Sequence, residues 1–511
     1  MLSFSRRLLI ALALPFTLLN TTSAQEAHYS QLWGKDGEKW TPQSRLPDFS
    51  FAGYRSGFLP LPTIQTKANV RDFGAKGDGE SDDTGAFKKA IEATNNGALL
   101  IPAGRYKLTD ILYIRKPNLV LRGEGTNKTV LFFPKGLEEI KSKVSATTTG
   151  RPTSGYSWSG GFLWFEGKNA GANVGKVQNR AARGTNIIEL DGPADKVQVG
   201  QLVEIRQEDI EDHSLVSHLY QGQAGDIAKI GAVRTAFVAR VTGVHGSRIT
   251  IERPLRTDID PRWKANVRLF EPSVSEGGLE NLAFEFPLTP YGGHFTEVGY
   301  NPFAFSGAAD CWARNIKIVN ADSGPFLGGS NFVTLDNIVL ESQRKADNQD
   351  CQGHHGITMG SDCLLSNFDF RTKFIHDITV SNSSSGNVVM RGRGVDLSFD
   401  HHKRYPHANL FTDIDLGLGA RMYKCGGGAS LGRHSAAWET FWNIRAQRAQ
   451  KWPPDNFGPD LMNFVGVQSE KQDKENVLSN ETGRWFEPIT PQQLQPQNLY
   501  EAQRGRRLKA K

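Results

Sequence analysis

Histidine is concentrated in one part of this chain. Seven of the twelve histidines lie between Arg344 and His434, a window that also holds several arginines and aspartates. A neutral imidazole can accept a proton near pH 7, and an arginine is a permanent cation that binds a carboxylate through two hydrogen bonds. The residue types in this window therefore predict proton transfer beside a bound anion.

β-Elimination at a uronate is one reaction that needs these groups. A base removes the weakly acidic proton beside the carboxylate, and a positive charge stabilises the enolate that develops. We predict that the base is His355 or His402. Arg391 or Arg393 is predicted to neutralise the carboxylate. The candidate catalytic residues are His354, His355, Arg391, Arg393, Asp396 and His402, and the candidate substrate-binding residues are Lys403, Arg404, Arg433 and His434.

Two other functions stay open on these residues. Hydrolysis of a glycosidic bond requires two carboxyls, one of which is kept protonated by its surroundings. A noncatalytic glycan-binding role is the third possible function, after elimination and hydrolysis. The acids that could serve a hydrolase are Asp347, Asp350, Asp362, Asp396 and Asp400.

Metal ligation is not assigned to any residue. Successive residues of a strand face opposite sides, so only one histidine of the pair His354 and His355, or of His401 and His402, is expected to face a given ligand. The chain also lacks a tight Cys/His spacing, which argues against a zinc site. A Ca²⁺ ion held by aspartates could replace the arginine in the elimination. Of the four cysteines, Cys351 and Cys363 are the preferred disulfide pair, with free buried cysteines as the alternative.

The elements that position these residues are short strands. From Ala98 onward, β-favouring runs of three to five residues alternate with turn residues, which leaves a sandwich, a barrel or a solenoid. Asn315 and Asn337 each begin such a run at a spacing of 22, typical of coils whose asparagines stack at a turn. Coils stack about 4.8 Å apart, so residues in register on successive coils would line one groove that could hold an extended acidic sugar chain.

The opening of this region carries a family resemblance. The segment from Asn69 to Gly79 runs into an amphipathic helix with Ala86, Phe87, Ala90 and Ile91 on one face, and Asp82 or Asp83 can cap it. This segment resembles the start of the pectate-lyase-like β-helix superfamily, which includes polysaccharide lyases and polygalacturonase-type glycoside hydrolases. The resemblance implies an all-β, right-handed parallel β-helix with an N-terminal capping helix.

A second likeness is partial. Residues 353–361 are similar to the Gly-His-Gly segment of polygalacturonase-type hydrolases. That family also has an Asp-Asp pair upstream and an Arg-Ile-Lys segment downstream, and this chain has neither at suitable spacing. The catalytic residues of that family are therefore not transferred to this chain.

The domain organisation follows from composition. Residues 1–24 have the charged, apolar and small-residue order of a signal peptide, which predicts a secreted or periplasmic protein. We expect an irregular arm at 25–66, a β-helix catalytic domain at 67–464 with insertions near 140–185 and 202–262, and a polar tail at 465–511. The net charge of +6 becomes +4 without the two arginines of the signal peptide, which favours an acidic polysaccharide as partner, with no nucleic acid or membrane partner expected.

Overall fold

The computed structural model describes residues 26–468 and 483–510. The predicted signal peptide at 1–24 and part of the predicted tail lie outside the described residues. Within the described ranges, no helix is long and apolar enough to span a membrane.

Short strands dominate the described chain. They are β1 His28–Tyr29, β2 Thr66–Asn69, β3 Asp78–Asp82, β4 Gly97–Ile101, β5 Gly104–Lys107, β6 Leu112–Ile114, β7 Leu119–Gly123, β8 Thr129–Phe132, β9 Val144–Ala146, β10 Pro152–Ser154, β11 Leu163–Glu166, β12 Asn173–Lys176, β13 Ile187–Glu189, β14 Leu202–Glu208, β15 Arg234–His245, β16 Arg248–Ile251, β17 Asn266–Leu269, β18 Gly278–Glu285, β19 Phe303–Ser306, β20 Trp312–Val319, β21 Thr334–Glu341, β22 Gly353–Thr358, β23 Leu364–Ser366, β24 Asp369–Phe370, β25 Phe374–Val380, β26 Val388–Gly394, β27 Phe399–His401, β28 Leu410–Asp415, β29 Thr440–Arg445, β30 Asn463–Val467, β31 Trp485–Glu487 and β32 Leu494–Gln495. The α-helices are α1 Thr84–Ala93, α2 Leu137–Ile140, α3 Ser214–Leu219 and α4 Leu499–Lys509, and single 3₁₀ turns lie at Tyr54–Gly57, Val70–Phe73, Gly155–Ser157 and Pro261–Trp263.

Most of these strands stack in parallel as the chain coils. The main sheet contains a parallel path through β18, β20, β21, β23, β26, β28, β29 and β30, so each turn of the chain adds a strand to the same face. Leu282, Ile316 and Ile338 are aligned on three successive coils and lie in the continuous apolar core. The predicted β-helix fold is confirmed.

Asparagines form a ladder along one edge of the coils. Asn281, Asn315 and Asn337 have positive φ values of 57°, 53° and 53°. The Nδ2 of Asn315 donates to Oδ1 of Asn281, and the Nδ2 of Asn337 donates to Oδ1 of Asn315, each at 2.8 Å. Asparagine tolerates the left-handed region better than most residues, so one asparagine per coil can bend each strand at the same place. The predicted stacking of asparagines at a turn is confirmed.

Helix α1 packs at the start of the coils through Phe87, Ala90 and Ile91, which join the main core. Asp82 accepts a hydrogen bond from the backbone N–H of Thr84 at 3.0 Å, as expected for a residue at the helix start. The buried Asp83 instead accepts from two backbone N–H groups of the preceding turn. Both carboxylates are thus occupied in local structure.

An antiparallel sheet interrupts the coils between β11 and β18. Its six strands lie in the order β12, β17, β14, β15, β16 and β13, and it has its own apolar core that includes Val203, Ile205 and Val267. The hairpin expected near 202–262 corresponds to β14 and β15 within this sheet. The boundaries of the arm, the two insertions and the tail stay predictions.

The prediction of a disulfide between Cys351 and Cys363 is wrong, because all four cysteines are free. Cys363 belongs to the main core, whereas Cys351 lies in a separate apolar patch with Tyr291 and Ile375. The two thiols are therefore buried in different apolar clusters, and each donates to a nearby backbone carbonyl, Cys351 to Gln349 and Cys363 to Ser361.

Candidate active site

A short parallel sheet of β22, β25 and β27 positions the candidate site. His355 on β22 is aligned with His376 on β25, and Thr379 on β25 is aligned with Asp400 on β27. His402 directly follows β27. Three coils thus bring side chains from distant parts of the sequence to one place.

Five imidazoles meet there, and we call them the histidine cluster. The ring centroids lie 4.2 Å apart for His354 and His355, 5.0 Å for His355 and His376, and 4.9 Å for His376 and His402. The ring of His294, which comes from the loop after β18, lies 4.5 Å from that of His354 and stacks on Phe295 at 3.7 Å. The members of the cluster are His294, His354, His355, His376 and His402.

His354 and His355 both contribute rings to the cluster, 5.4 Å and 5.0 Å from the ring of His376. Of this pair, only His354 belongs to a set of possible metal ligands among the described residues, and the expectation that one histidine of this pair faces a given ligand stays a prediction. Their strand begins at Gly353, where a Cβ atom would lie 2.5 Å from the ring of Phe374 on the next coil. The glycine therefore lets the strand approach its neighbour closely.

The side chains of His401 and His402 point to opposite sides of their strand. The ring of His401 is fully buried and packs 4.9 Å from that of Phe457, while His402 points into the histidine cluster. The extended β27 therefore separates these two imidazoles as strand geometry requires.

Asp400 is the centre of a hydrogen-bond network in the cluster. Its side chain is fully buried, and it accepts from Nδ1 of His402 at 2.8 Å, from the Thr379 hydroxyl at 3.1 Å and from the Gly426 N–H at 2.7 Å. Because the Thr379 hydroxyl donates to Asp400, Nδ1 of His355 must donate to Thr379, 3.1 Å away. This network fixes the orientation and the tautomers of two imidazoles.

Gly426 allows the chain to cover the network. A Cβ atom at this position would lie 2.5 Å from a ring carbon of both His376 and His402. A larger residue would displace the imidazoles, so the absence of a side chain here is part of the site.

The charges of the cluster are divided between neutral and ionised groups. Burial holds the pKa of His355 and of His376 well below the usual value, so both are neutral at pH 7. Burial also acts to lower the pKa of His402, but the Asp400 carboxylate outweighs it and raises that pKa. Burial acts to raise the pKa of Asp400, but His376 and His402 hold it well below its usual range. Asp400 is therefore an ionised carboxylate.

Glu297 holds the other side of the cluster. It is buried and accepts from the Tyr291 hydroxyl at 2.7 Å and the Ser157 hydroxyl at 2.8 Å, and one of its oxygens lies 3.3 Å from Nδ1 of His354. Burial acts to raise the pKa of Glu297, but His354 and the two hydroxyls lower it to about 2. Burial lowers the pKa of His294 to about 4.

The structure brings only part of the predicted catalytic set together. His354, His355 and His402 lie in the cluster. Arg391 is on the main sheet at a left-handed position and forms an ion pair with Glu501 of α4. Arg393 lies on the same strand and pairs with Asp369 at 3.0 Å, with 68% of its side chain exposed.

Asp396 has a local structural role. It is buried, accepts from the backbone N–H of Ala420 at 2.7 Å and lies 3.6 Å from the Arg421 guanidinium. The structure thus places Asp396, like Arg391 and Arg393, outside the histidine cluster.

Two of the four predicted binding residues, Lys403 and Arg433, line a cleft. A cavity of about 340 Å³ is lined by Lys403, Arg433, Asp226 and Asn456, among others. Lys403 follows His402 in the chain and donates to the Gly432 carbonyl at 2.7 Å. The His434 ring contacts the amide of Asn456 at 3.4 Å, and Arg404 is exposed.

Several residues of the cluster are absent from the predicted set. His376 follows His355 by 21 residues, close to the coil length indicated by the asparagines, and this spacing was a usable signal. The sequence predicts Asp400 only as a possible acid of a hydrolase. His294 and Glu297 lie in an irregular loop with no periodic pattern that could have revealed them.

Two sets of side chains in the cluster have the geometry to hold a metal ion. The ligand atoms of His294, His354 and His376 all lie within 4.8 Å of one another, and so do those of His376, Asp400 and His402. Both sets share His376.

The first coils match a known family model. Residues 67–160 match the family model described as rhamnogalacturonase A/epimerase, pectate lyase-like. The predicted resemblance to the pectate-lyase-like superfamily is confirmed.

Curated relatives match short segments. Alginate lyase 7 of Azotobacter vinelandii is 35% identical over 100 residues, which are 18% of this chain and 12% of that protein. The mannuronan C5-epimerase AlgE5 of the same organism is 29% identical over 143 residues, which are 26% of this chain and 14% of the epimerase. Among solved structures, the Pseudomonas phage phi297 tailspike gp61 has a TM-score of 0.45 and 14% identity, with 80% of this chain and 68% of the tailspike covered. This chain spans well under a fifth of the length of each of the two curated relatives.

Proposed function

We propose that this protein is a secreted or periplasmic polysaccharide lyase that cleaves an acidic polysaccharide by β-elimination. Its catalytic domain would be a right-handed parallel β-helix in which α1 caps the N-terminal end. The observation that carries the reaction type is the pair of His402 and Asp400. An imidazole with 30% of its side chain exposed is hydrogen-bonded to a fully buried carboxylate, which is the arrangement of an oriented general base.

The proposed step uses His402 as the base. Its free Nε2 takes the C5 proton of a uronate, the C5–H electron pair forms the C4=C5 double bond, and the C4–O bond breaks. The leaving oxygen takes a proton from water and becomes the hydroxyl of the new chain end, and the imidazolium later returns its proton to solvent. The electrons balance without any oxidant. The imidazolium that forms on His402 is stabilised by Asp400, which stays ionised.

A cavity lined by Lys403 and Arg433 is the proposed site for flanking sugars. Its volume of about 340 Å³ is large enough for a sugar unit, and Asp226 and Asp455 also line it, so the two cations would bind carboxylates individually and not through a net positive charge. In this proposal the half-buried Lys403 and Arg433 bind carboxylates of flanking sugars.

Hydrolysis has less support from the charges. A hydrolase needs one carboxyl that stays protonated, whereas the carboxyls that contact the cluster, Glu297 and Asp400, both have lowered pKa values. Both are also buried beneath the imidazoles and hold hydrogen bonds from neighbouring groups.

Epimerisation at C5 is the second candidate function. It begins with the same proton abstraction, but a proton returns to the opposite face of C5 and no bond to the leaving oxygen breaks. The observation that favours it is the similarity to mannuronan C5-epimerases. The ring centroids of the neutral His355 and His376 lie 5.8 Å and 4.9 Å from that of His402. These imidazoles bring further proton-transfer groups to the site.

One experiment separates these functions. The purified protein is incubated in D₂O buffer with polymannuronate, polyguluronate and polygalacturonate. A lyase produces ultraviolet absorbance from the unsaturated sugar together with new reducing ends, and a hydrolase produces reducing ends alone. An epimerase produces neither signal, but deuterium enters at C5. Binding without any of these changes would refute catalysis on these polymers.

A further inference from the structure

Three imidazoles of the histidine cluster converge in a way that hydrogen bonding within the protein does not explain. The candidate ligand atoms of His294, His354 and His376 lie within 4.8 Å of one another. His376 is 4% exposed, and neither of its ring nitrogens has a hydrogen-bond partner. A buried polar group without a partner costs stability, and because Asp400 lies beside Nδ1, it is the Nε2 of His376 that indicates a missing partner.

The neighbouring carboxylates match the outer shell of a metal site. The Nδ1 of His354 lies 3.3 Å from Glu297, and the Nδ1 of His376 lies 3.4 Å from Asp400. A histidine that binds a metal through one nitrogen usually directs the other toward a carboxylate or a carbonyl. This arrangement leaves the Nε2 atoms of His354 and His376 to bind an ion.

The donor atoms define the kind of ion. Imidazole nitrogens suit zinc and similar transition metals, whereas Ca²⁺ requires six to eight oxygen ligands. Nitrogens bound to one tetrahedral Zn²⁺ at about 2.0–2.1 Å lie about 3.3 Å apart, so small side-chain shifts would close the observed spacing.

We propose that His294, His354 and His376 bind a divalent transition-metal ion of the zinc type, with one coordination position left open. His402 is not in this set, because its Nδ1 is already hydrogen-bonded to Asp400 at 2.8 Å. The tight sequence spacing of common zinc motifs is absent because the ligands lie on separate coils, 60 and 22 residues apart in the chain.

A role for the ion rests on the proposed function. Elimination requires a positive charge at the carboxylate of the reacting sugar, and the arginines predicted for this task lie on another sheet. An ion with an open position beside His402 would bind that carboxylate and stabilise the enolate as a Lewis acid.

Metal binding is tested on the full protein, apart from activity. The protein is stripped with a chelator, dialysed and titrated with Zn²⁺, Co²⁺ and Ca²⁺, with metal content measured by mass spectrometry. We expect about one Zn²⁺ per chain, the visible absorption of tetrahedral Co²⁺, and no tight Ca²⁺ binding. A folded protein that binds no Zn²⁺ at micromolar concentration would overturn the proposal.

Variants identify the ligands. His294→Ala and His376→Ala should weaken Zn²⁺ binding about 100-fold or more, and Glu297→Gln about 10-fold to 100-fold. His402→Gln should bind as the wild type does, and so should His213→Ala, which removes a half-exposed histidine paired with Asp209. Loss of binding in His402→Gln but not in His294→Ala would refute the proposed ligand set.

The two proposals fail in different ways. Stoichiometric Zn²⁺ binding without any change in a uronate polymer would leave the metal site standing and refute the lyase. Full lyase activity in the metal-free protein would leave the elimination standing and refute the role of the ion. Circular dichroism on each variant shows whether a loss reflects the site or unfolding.

Discussion

Replacement of His402 by glutamine tests the proposed base directly. Glutamine keeps a group that can donate to Asp400 but cannot accept the C5 proton. General-base catalysis contributes about 10²-fold to 10⁴-fold to a rate, which corresponds to about 2.7–5.5 kcal/mol in the activation free energy. We therefore expect kcat to fall by at least about 100-fold, with a smaller change in KM because the flanking sugars still bind in the cleft.

The structure predicts that this variant folds. The side chain of His402 is 30% exposed, and Asp400 keeps the hydrogen bonds from Thr379 and Gly426 after the imidazole is removed. The carboxylate is not left unpaired, so the free energy of unfolding should fall by only about 1 kcal/mol. A melting temperature close to that of the wild type would show that any loss of activity comes from the chemistry.

The assay is the initial rate of ultraviolet absorbance on the polymer that the wild type cleaves. His213→Ala is the matched control, because it also removes an imidazole beside an aspartate but lies in the loop before α3. If His402→Gln retained more than about half of the wild-type kcat, His402 would not be the base.

Three further predictions concern Asp400, Arg391 and His407. Asp400→Asn should lower kcat by about 10²-fold to 10⁴-fold in the same absorbance assay, because the amide can select the wrong tautomer of the attached imidazole, and an unchanged kcat would refute this orienting role. Arg391→Ala should leave kcat within about twofold. It removes the ion pair with Glu501, a surface contact worth about 0–1 kcal/mol in urea unfolding. A large fall in kcat would show that Arg391 acts in catalysis. Burial lowers the pKa of His407 to about 4, below its unfolded value near 6.5, so its contribution to stability is complete above pH 6.5 and is lost as the pH falls toward 4. Between pH 7 and pH 5 the wild type should therefore lose about 2 kcal/mol more in urea unfolding than His407→Asn, and equal losses would contradict the buried neutral state.

The fold was accessible from sequence because its signals are local. The opening segment with its amphipathic helix is contiguous, and the turn at each coil needs a residue that tolerates the left-handed region. The step of 22 between Asn315 and Asn337 therefore reports the coil length directly. The antiparallel sheet between β11 and β18 hides this period, since its strands have unrelated lengths.

The site was accessible only where it follows the coils. The concentration of histidines identified the correct window, since His354, His355 and His402 all lie in the cluster. His294 and Glu297 were out of reach, because they enter from a loop whose path depends on tertiary contacts such as the hydrogen bond from Tyr291. Strand alternation separates His401 from His402, since the His401 ring packs on Phe457 and the His402 ring lies in the cluster.

The strand register explains why Arg391 lies away from the histidine cluster. Arg391 has a φ of 51°, and its neighbours on the next two coils, Asp413 and Asn443, have φ values of 57° and 56°. The arginine thus occupies the left-handed bend that asparagine and aspartate occupy elsewhere on the main sheet. A residue at that bend lies on the main sheet, whereas His355 and His376 lie on the separate sheet of β22, β25 and β27. The number of residues between a side chain and the asparagine bend of its coil indicates which sheet the side chain lies on. Applied before any chemical role was assigned, this count separates the arginines from the imidazoles, so the positive charge of the site must come from another group.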